Sequence, residues 1–145
     1  KDHSLLIISK NYQHLQAVYQ SYQNIVFMGP LPYNNMDSYI QKARFGINYM
    51  IDIEPFNRQT AAKLLEYAAL GLAVVTTRYA WITDFQQHFG GDYFFLEPDL
   101  SNFTWENVNN FPYKAPDLSQ WTWDRQIRTS GVLEFLQATH PELVF

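Results

Sequence analysis

The stretch from residue 53 to residue 77 most constrains the fold, because it runs without interruption from a loop through an amphipathic helix into a short apolar segment. The spacing predicts a helix from about residue 60 to residue 70. Gln59, Lys63 and Glu66 fall on one narrow polar stripe of that helix. The opposite stripe is apolar and consists of Ala61, Leu64, Leu65 and Ala68. The helix is therefore expected to have a core face and a chemical face.

A glycine and an apolar run mark the end of this helix. Gly71 is suited to a left-handed cap that ends the helix. Residues 72–75 then form an apolar run of the kind found in buried strands of parallel sheets. A helix that leads directly into a buried strand is typical of an α/β layer fold.

The same alternation continues along the chain. Apolar runs predict buried strands, and helical spacing predicts helices between them, with Asn34 or Asn35 as a helix cap. The strands are expected at residues 5–9, 25–28, 45–51, 72–75 and 93–96, and the helices at 12–24, 34–43, 60–70, 79–89 and 123–139, the last interrupted by Gly131, with 97–122 irregular. This pattern predicts an α/β fold: a three-layer, doubly wound parallel sheet of about five strands, Rossmann-like, in the order 2-1-3-4-5.

Length and composition restrict the class of protein. The 145 residues correspond to a single Rossmann-like domain, residues 1–145, which we expect to be excised from a larger protein. The net charge of -4 argues against a nucleic-acid partner. The absence of cysteine favours a reducing compartment and a cytoplasmic location. No apolar run reaches the roughly 18 residues that span a bilayer, so any membrane association is expected to be peripheral.

Several common sites are not supported by the sequence. It contains neither the glycine fingerprint of dinucleotide binding nor a P-loop, and its four histidines are scattered without ligand spacing. Asp52 and Glu54 follow the third predicted strand two residues apart. This spacing suits a divalent ion that bridges a diphosphate, or a pair of solvated loop acids.

The polar stripe of the central helix carries the sharpest signal. A helix N-terminus gathers free N–H groups and positive potential, and Lys63 adds a full charge that can bind a phosphate oxygen. Glu66, further along the stripe, can accept hydrogen bonds from the two hydroxyls of a ribose. The alternative is an exposed ion pair between Lys63 and Glu66, which would contribute only a few tenths of a kcal/mol.

Residues 59–77, QTAAKLLEYAALGLAVVTT, resemble the signature K-L-x-E-Y-x-A-x-G-x-P-V-V-x-T. This signature is found in the C-terminal domain of GT-B nucleotide-sugar glycosyltransferases. The likeness is to the bacterial polysaccharide-building enzymes of the broad retaining group. The preceding segments IVFMGPLPY and DIEPFN occur in a similar order, so that the resemblance covers roughly residues 5–96.

The resemblance implies specific roles. Lys63 would contact the donor diphosphate and Glu66 the ribose, while Gln59 and Thr60 would lie near the phosphates or the donor sugar. The loop at Gly29 and Pro30 would lie beside the base. Family members usually carry an N-terminal domain that binds the acceptor, so this chain is expected to supply half of a site. The full-length enzyme would work in the cytoplasm or peripherally at the inner face of the membrane.

Two positions depart from the family pattern. Arg58 stands where the retaining group often has a glutamate, eight residues before the ribose glutamate. A guanidinium can bind a phosphate or an acidic sugar but cannot accept sugar hydroxyls, so Arg58 and Lys63 are predicted as the catalytic cations. Ala73 replaces the family's proline.

The sequence thus predicts the donor-binding domain of a glycosyltransferase. The enzyme would transfer a sugar from a nucleotide diphosphate sugar to a glycan or lipid-linked acceptor, with no cofactor and no metal. One alternative is a non-catalytic, flavodoxin-like protein-interaction module that uses its aromatic surface. Another is a metal-dependent transferase that uses Asp52 and Glu54.

Overall fold

The computed structural model describes residues 3–142 as alternating short strands and helices. The strands are β1 (Leu5–Ile7), β2 (Ile25–Phe27), β3 (Phe45–Asn48), β4 (Ala73–Thr77) and β5 (Phe94–Leu96). The helices are α1 (Gln13–Tyr19), α2 (Tyr33–Ile40), α3 (Ala62–Ala69), α4 (Ala80–Phe89), α5 (Trp105–Asn110), α6 (Trp123–Thr129) and α7 (Val132–Thr139), with a 3-10 turn at Phe56–Arg58. The predicted α/β class is confirmed. None of the helices in this described part is long and apolar enough to cross a membrane.

The strands form two small parallel sheets. In the first, β1 pairs with β2, and Leu5 lies opposite Ile25. In the second, β4 lies between β3 and β5, with Gly46 opposite Val74 and Val75 opposite Phe94. The chain divides into two compact units, Lys1–Ala43 and Arg44–Phe145, each of which holds one sheet. This layout is consistent with a Rossmann-like arrangement.

The first unit buries little of its apolar surface, and the prediction that its strands are buried is wrong. Leu5, Leu6 and Val26 are exposed, and α1 contributes no buried residue. A two-stranded sheet with two short helices offers too little cover to bury apolar strands on both faces. Gly29 is buried in this unit, with a positive φ of 67°.

The second unit has a core on each face of its sheet. One face packs the buried side chains of α3 and α4, centred on Leu64, Val74 and Ile82. The other face packs Val75 and Phe94 against Val108 of α5. Successive residues of β4 therefore point into different cores, as the pleat of a strand requires. The prediction of a buried fourth strand is confirmed.

Close packing between α3 and β3 depends on one glycine. A Cβ placed on Gly46 would lie only 2.2 Å from the ring of Tyr67, closer than any real side chain approaches. Burial raises the pKa of Tyr67, and the charge of Glu66 adds to the effect. The absence of a side chain at Gly46 lets the helix lie directly on the strand.

Several predicted boundaries need correction. Helix α3 begins at Ala62 and ends at Ala69, slightly inside the predicted span, and Gly71 has the predicted left-handed φ of 79°. Helix α2 follows Pro32 and has no side-chain cap, so the prediction of Asn34 or Asn35 as its cap is wrong. The segment predicted as irregular contains α5, which Thr104 caps. Gly131, with a φ of 75°, separates two helices.

Candidate functional site

The carboxyl ends of β3, β4 and β5 lie at one edge of the second unit's sheet, because all three strands are parallel. This edge is where ligands bind in open α/β sheets. A buried polar cluster forms its floor. Nδ2 of Asn48 donates to Oγ1 of Thr76 over 3.1 Å and to the hydroxyl of Tyr79 over 2.9 Å. The three side chains are buried, so these bonds satisfy groups that would otherwise be costly there.

The loop that leaves β3 is fastened to β4 at this edge. The backbone N–H of Met50 donates to Oγ1 of Thr77 over 2.9 Å, and the same hydroxyl donates to the carbonyl of Met50. Thr77 thus extends the pairing of the two strands with its side chain. The two hydrogen bonds therefore hold the start of the next segment, residues 51–60, against the end of β4.

Polar contacts within this loop involve residues that the sequence predicts as candidate site residues. Arg58 Nε lies 3.0 Å from Glu54 Oε1 in an exposed ion pair, and Asn57 Nδ2 donates to Asp52 Oδ1 over 2.9 Å. The hydrogen bond and charge of Glu54 raise the pKa of Arg58. Asp52 and Glu54 therefore bind different partners. In residues 3–142, no group of three or more His, Cys, Asp or Glu side chains could hold a metal ion.

Helix α3 begins immediately after this loop, at the same edge. Its N-terminus carries no side-chain cap and no acidic residue in the first turn. Lys63 is the second residue of the helix and is exposed, while Glu66 is half-buried one turn further on. Within the described residues, neither side chain makes a hydrogen bond or an ion pair. The alternative in which Lys63 and Glu66 form an ion pair is therefore wrong.

Gln59 and Thr60 precede the helix instead of starting it. Gln59 is extended and exposed, with a φ of -78° and a ψ of 141°. Thr60 is exposed, and its carbonyl accepts a hydrogen bond from Ala62 N–H over 3.1 Å. Both side chains remain accessible to a ligand that contacts the start of α3.

Gly29 and Pro30 lie in the turn that follows β2, within the first unit. A Cβ on Gly29 would lie 3.3 Å from the ring of Tyr12, which stacks on Phe27 with 6.0 Å between ring centres. Pro30 is exposed. The turn is therefore shaped by an aromatic pair beneath Gly29, and its proposed contact with a base stays a prediction.

Arg78 is a basic residue at the carboxyl edge that the sequence reasoning did not single out. It directly follows β4, is exposed, and places its guanidinium carbon 3.8 Å from the centre of the Phe95 ring. No acidic side chain pairs with it in the part of the chain that is described. The available signal was its position, since it lies within three residues of the end of the strand predicted at residues 72–75.

A cavity of about 170 Å³ lies at the opposite edge of this sheet, where β4 and β5 begin. Its walls include Leu72, Val74, Asp92 and Tyr113. Burial raises the pKa of Tyr113 to about 12, and the phenol oxygen is buried without a hydrogen-bond partner in the described structure. The cavity is thus separate from Lys63, Glu66 and Arg78, which lie towards the carboxyl edge.

Comparison of the sequence with protein-family models, curated proteins and solved structures finds no match. The chemistry of the carboxyl edge therefore rests on the chain's own residues.

Proposed function

We propose that the second unit binds the nucleotide diphosphate of a sugar donor and that the chain is the donor-binding domain of a glycosyltransferase. The observation that carries this proposal is the start of α3. There, an uncapped helix N-terminus lies at the ligand-binding edge of a parallel sheet, together with Lys63 and Glu66, which are unpaired among the described residues. A diphosphate fits the helix N-terminus and Lys63, and a ribose fits Glu66.

The electrostatics of Lys63 favour this assignment. A lysine in the first turn of a helix lies at the positive end of the helix dipole, where cations are unfavourable. An anion bound at the same place would interact favourably with both the dipole and the lysine. A local cost to the free protein thus becomes an advantage once a phosphate is present.

The proposed chemistry is cleavage of the bond between the sugar's anomeric carbon and the terminal phosphate oxygen. The bonding electrons move to the diphosphate, an acceptor hydroxyl oxygen forms the new bond to carbon, and the hydroxyl proton passes to the leaving diphosphate or to a base of the acceptor-binding domain. The helix N-terminus and Lys63 would stabilise the charge that develops on the diphosphate. Arg58 would assist only after leaving Glu54, and this exposed pair is weakly held. The proposal assigns no metal and no cofactor.

The proposal extends beyond the second unit. It includes the doubly wound strand order 2-1-3-4-5. Three of the neighbour pairs in that order, β1–β2, β3–β4 and β4–β5, are paired in the two sheets. The acceptor would be a glycan or a lipid-linked sugar, held by an N-terminal domain of the full-length enzyme. That enzyme would be cytoplasmic or peripheral at the inner face of the membrane.

Calorimetric titration of the chain with uridine diphosphate, guanosine diphosphate and inorganic pyrophosphate tests the proposal. Wild-type protein should bind at least one nucleotide. Lys63→Ala should weaken both nucleotide and pyrophosphate binding by about ten- to a hundredfold, because a charge-assisted contact is lost. Glu66→Ala should weaken nucleotide binding alone, because pyrophosphate has no ribose.

Lys114→Ala is the matched control, since Lys114 is an exposed lysine beside the cavity at the other edge of the sheet. It should bind all three ligands like the wild type. If the wild type binds neither uridine diphosphate nor guanosine diphosphate, the proposed donor site is wrong. It is also wrong if Lys63→Ala and Lys114→Ala bind the ligands with the same affinity.

A second candidate is a non-catalytic protein-interaction module. Four exposed apolar side chains in the loop after β3 favour it, namely Tyr49, Ile51, Ile53 and Phe56. Under this candidate the same titrations would give no nucleotide binding.

A further inference from the structure

Arg78 combines three properties that suit a ligand-binding residue. It is exposed, it has no acidic partner among the described residues, and its guanidinium lies over the Phe95 ring. A guanidinium stacked on an aromatic face keeps its N–H groups free at the edge of its plane. These N–H groups match two oxygens of a phosphate or carboxylate. The stacking therefore orients the side chain before any ligand binds.

Arg58 provides the contrast. Its Nε already donates to Glu54 Oε1 over 3.0 Å, so a ligand would have to compete with a carboxylate for it. Arg78 has no such competitor within residues 3–142. Of these two arginines, the structure leaves Arg78 ready to bind an anion.

The topology brings Arg78 and Lys63 to the same edge of the sheet. Arg78 follows the last residue of β4, the central strand. Lys63 lies in the first turn of α3, the helix that carries the chain from the carboxyl end of β3 back to the start of β4. Two cations without an acidic partner in the described structure thus lie at one edge of a protein whose net charge is -4.

We propose that Arg78 is a second binding residue for an oxyanion of the sugar donor, and that it acts together with Lys63. This inference rests on the proposed function. Two donor groups present the required pair of oxygens: the diphosphate, which every donor carries, and the carboxylate of an acidic sugar such as a uronic acid. In either case the guanidinium forms a bidentate contact that a lysine cannot reproduce.

Titration of Arg78→Gln and Arg78→Lys with three ligands distinguishes the two sources. The ligands are uridine diphosphate, its glucose conjugate and its glucuronic acid conjugate, or the guanosine equivalents if the wild type prefers that base, and both variants are also titrated with inorganic pyrophosphate. If the diphosphate is bound, Arg78→Gln loses about ten- to a hundredfold in affinity for all three. If the sugar carboxylate is bound, the loss is confined to the glucuronic acid conjugate. Arg78→Lys keeps the charge and should lose less in the affected titrations.

Arg125→Gln is the matched control, because Arg125 is an exposed arginine of α6 whose side chain pairs with no acid in the described structure. Unchanged thermal unfolding of each variant shows that a lost affinity is not a lost fold. The experiments are run at low ionic strength, where contacts between exposed charges are least screened.

The outcomes separate this inference from the proposed function. If the wild type binds nucleotides through Lys63 while Arg78→Gln matches Arg125→Gln for every ligand, the role of Arg78 is wrong and the donor site stands. If no nucleotide binds but pyrophosphate binding depends on Arg78, the oxyanion contact stands and the glycosyltransferase proposal fails. Absence of binding to every ligand, pyrophosphate included, overturns both.

Discussion

Lys63 differs from the residues that begin the capped helices of this protein. Helices α5 and α6 each start with a threonine cap and carry an acid in the first turn, Glu106 and Asp124, as the helix dipole favours. Helix α3 has neither feature and has a lysine instead. The missing cap is shared with α1, α2, α4 and α7, so it is the first-turn lysine, unpaired among the described residues, that distinguishes α3.

Because Lys63 is a cation at the positive end of the α3 dipole, we expect substitutions of it to change stability and ligand binding in opposite directions. Lys63→Glu should raise the free energy of unfolding by about 0.3–1 kcal/mol, because it replaces a cation at the positive helix end by an anion. The same variant should lose nucleotide binding. Urea denaturation and calorimetric titration measure the two effects.

Lys63→Gln serves as the neutral control and should lie between the wild type and Lys63→Glu in stability. An unfolding free energy of Lys63→Glu at or below that of the wild type would show that Lys63 is not locally unfavourable.

At the scale of an element, the position of α3 depends on Gly46. The ring of Tyr67 occupies the space that a Cβ on Gly46 would need. Gly46→Ala should therefore lower the free energy of unfolding by about 1–3 kcal/mol, the usual cost of overpacking a core. Chemical denaturation of the purified variant measures this change.

A double-mutant cycle assigns the cost to that contact. Tyr67→Ala removes the ring, so adding Gly46→Ala to it should cost much less than it does in the wild type. If the two changes are additive, the ring of Tyr67 is not what excludes a side chain at Gly46.

The elements also show what sequence patterns can and cannot predict. The presence and type of helix α3 and strand β4 were predicted correctly, with shifts of one or two residues at their ends, because periodicity, an ending glycine and an apolar run all agree there. The prediction that β1 is buried was wrong, because an apolar run shows that a strand can be buried but not that another layer covers it. Helix α5 was missed because it has only six residues in an Asn-rich segment, although Thr104 was a visible cap candidate.

The candidate site was predicted only in part for a related reason. The placement of Lys63 and Glu66 follows from helical spacing, which the sequence displays directly. The pairing of Arg58 with Glu54 depends on the path of an irregular loop, and the stacking of Arg78 on Phe95 depends on the order of strands. Neither of these contacts can be derived from spacing along the chain.

At the scale of the whole molecule, burial is divided unevenly between the two units. The second unit buries both faces of its sheet, whereas the first leaves much of its apolar surface exposed. Exposed backbone hydrogen bonds and few buried contacts are the properties of regions that open easily.

Amide hydrogen exchange should reveal this difference. Residues Val74–Thr76 of β4 should be more protected than Leu5–Ile7 of β1, because β4 is central and buried whereas β1 is half exposed. Mass spectrometry of peptides from the two strands measures both rates in one sample. Equal protection of the two strands would contradict the inference that the units differ in local stability.

The hydrogen bonds between Thr77 and Met50 have a consequence for how such a protein can diversify. They fix one end of the segment at residues 51–60, and the buried Ala61 fixes the other. Loop closure costs only about 0.6 kcal/mol for each doubling of length, so insertions between two fixed ends are tolerated. Evolution or design could exchange the whole segment as a cassette and change what the carboxyl edge recognises, while the framework of β3, β4 and α3 stays in place.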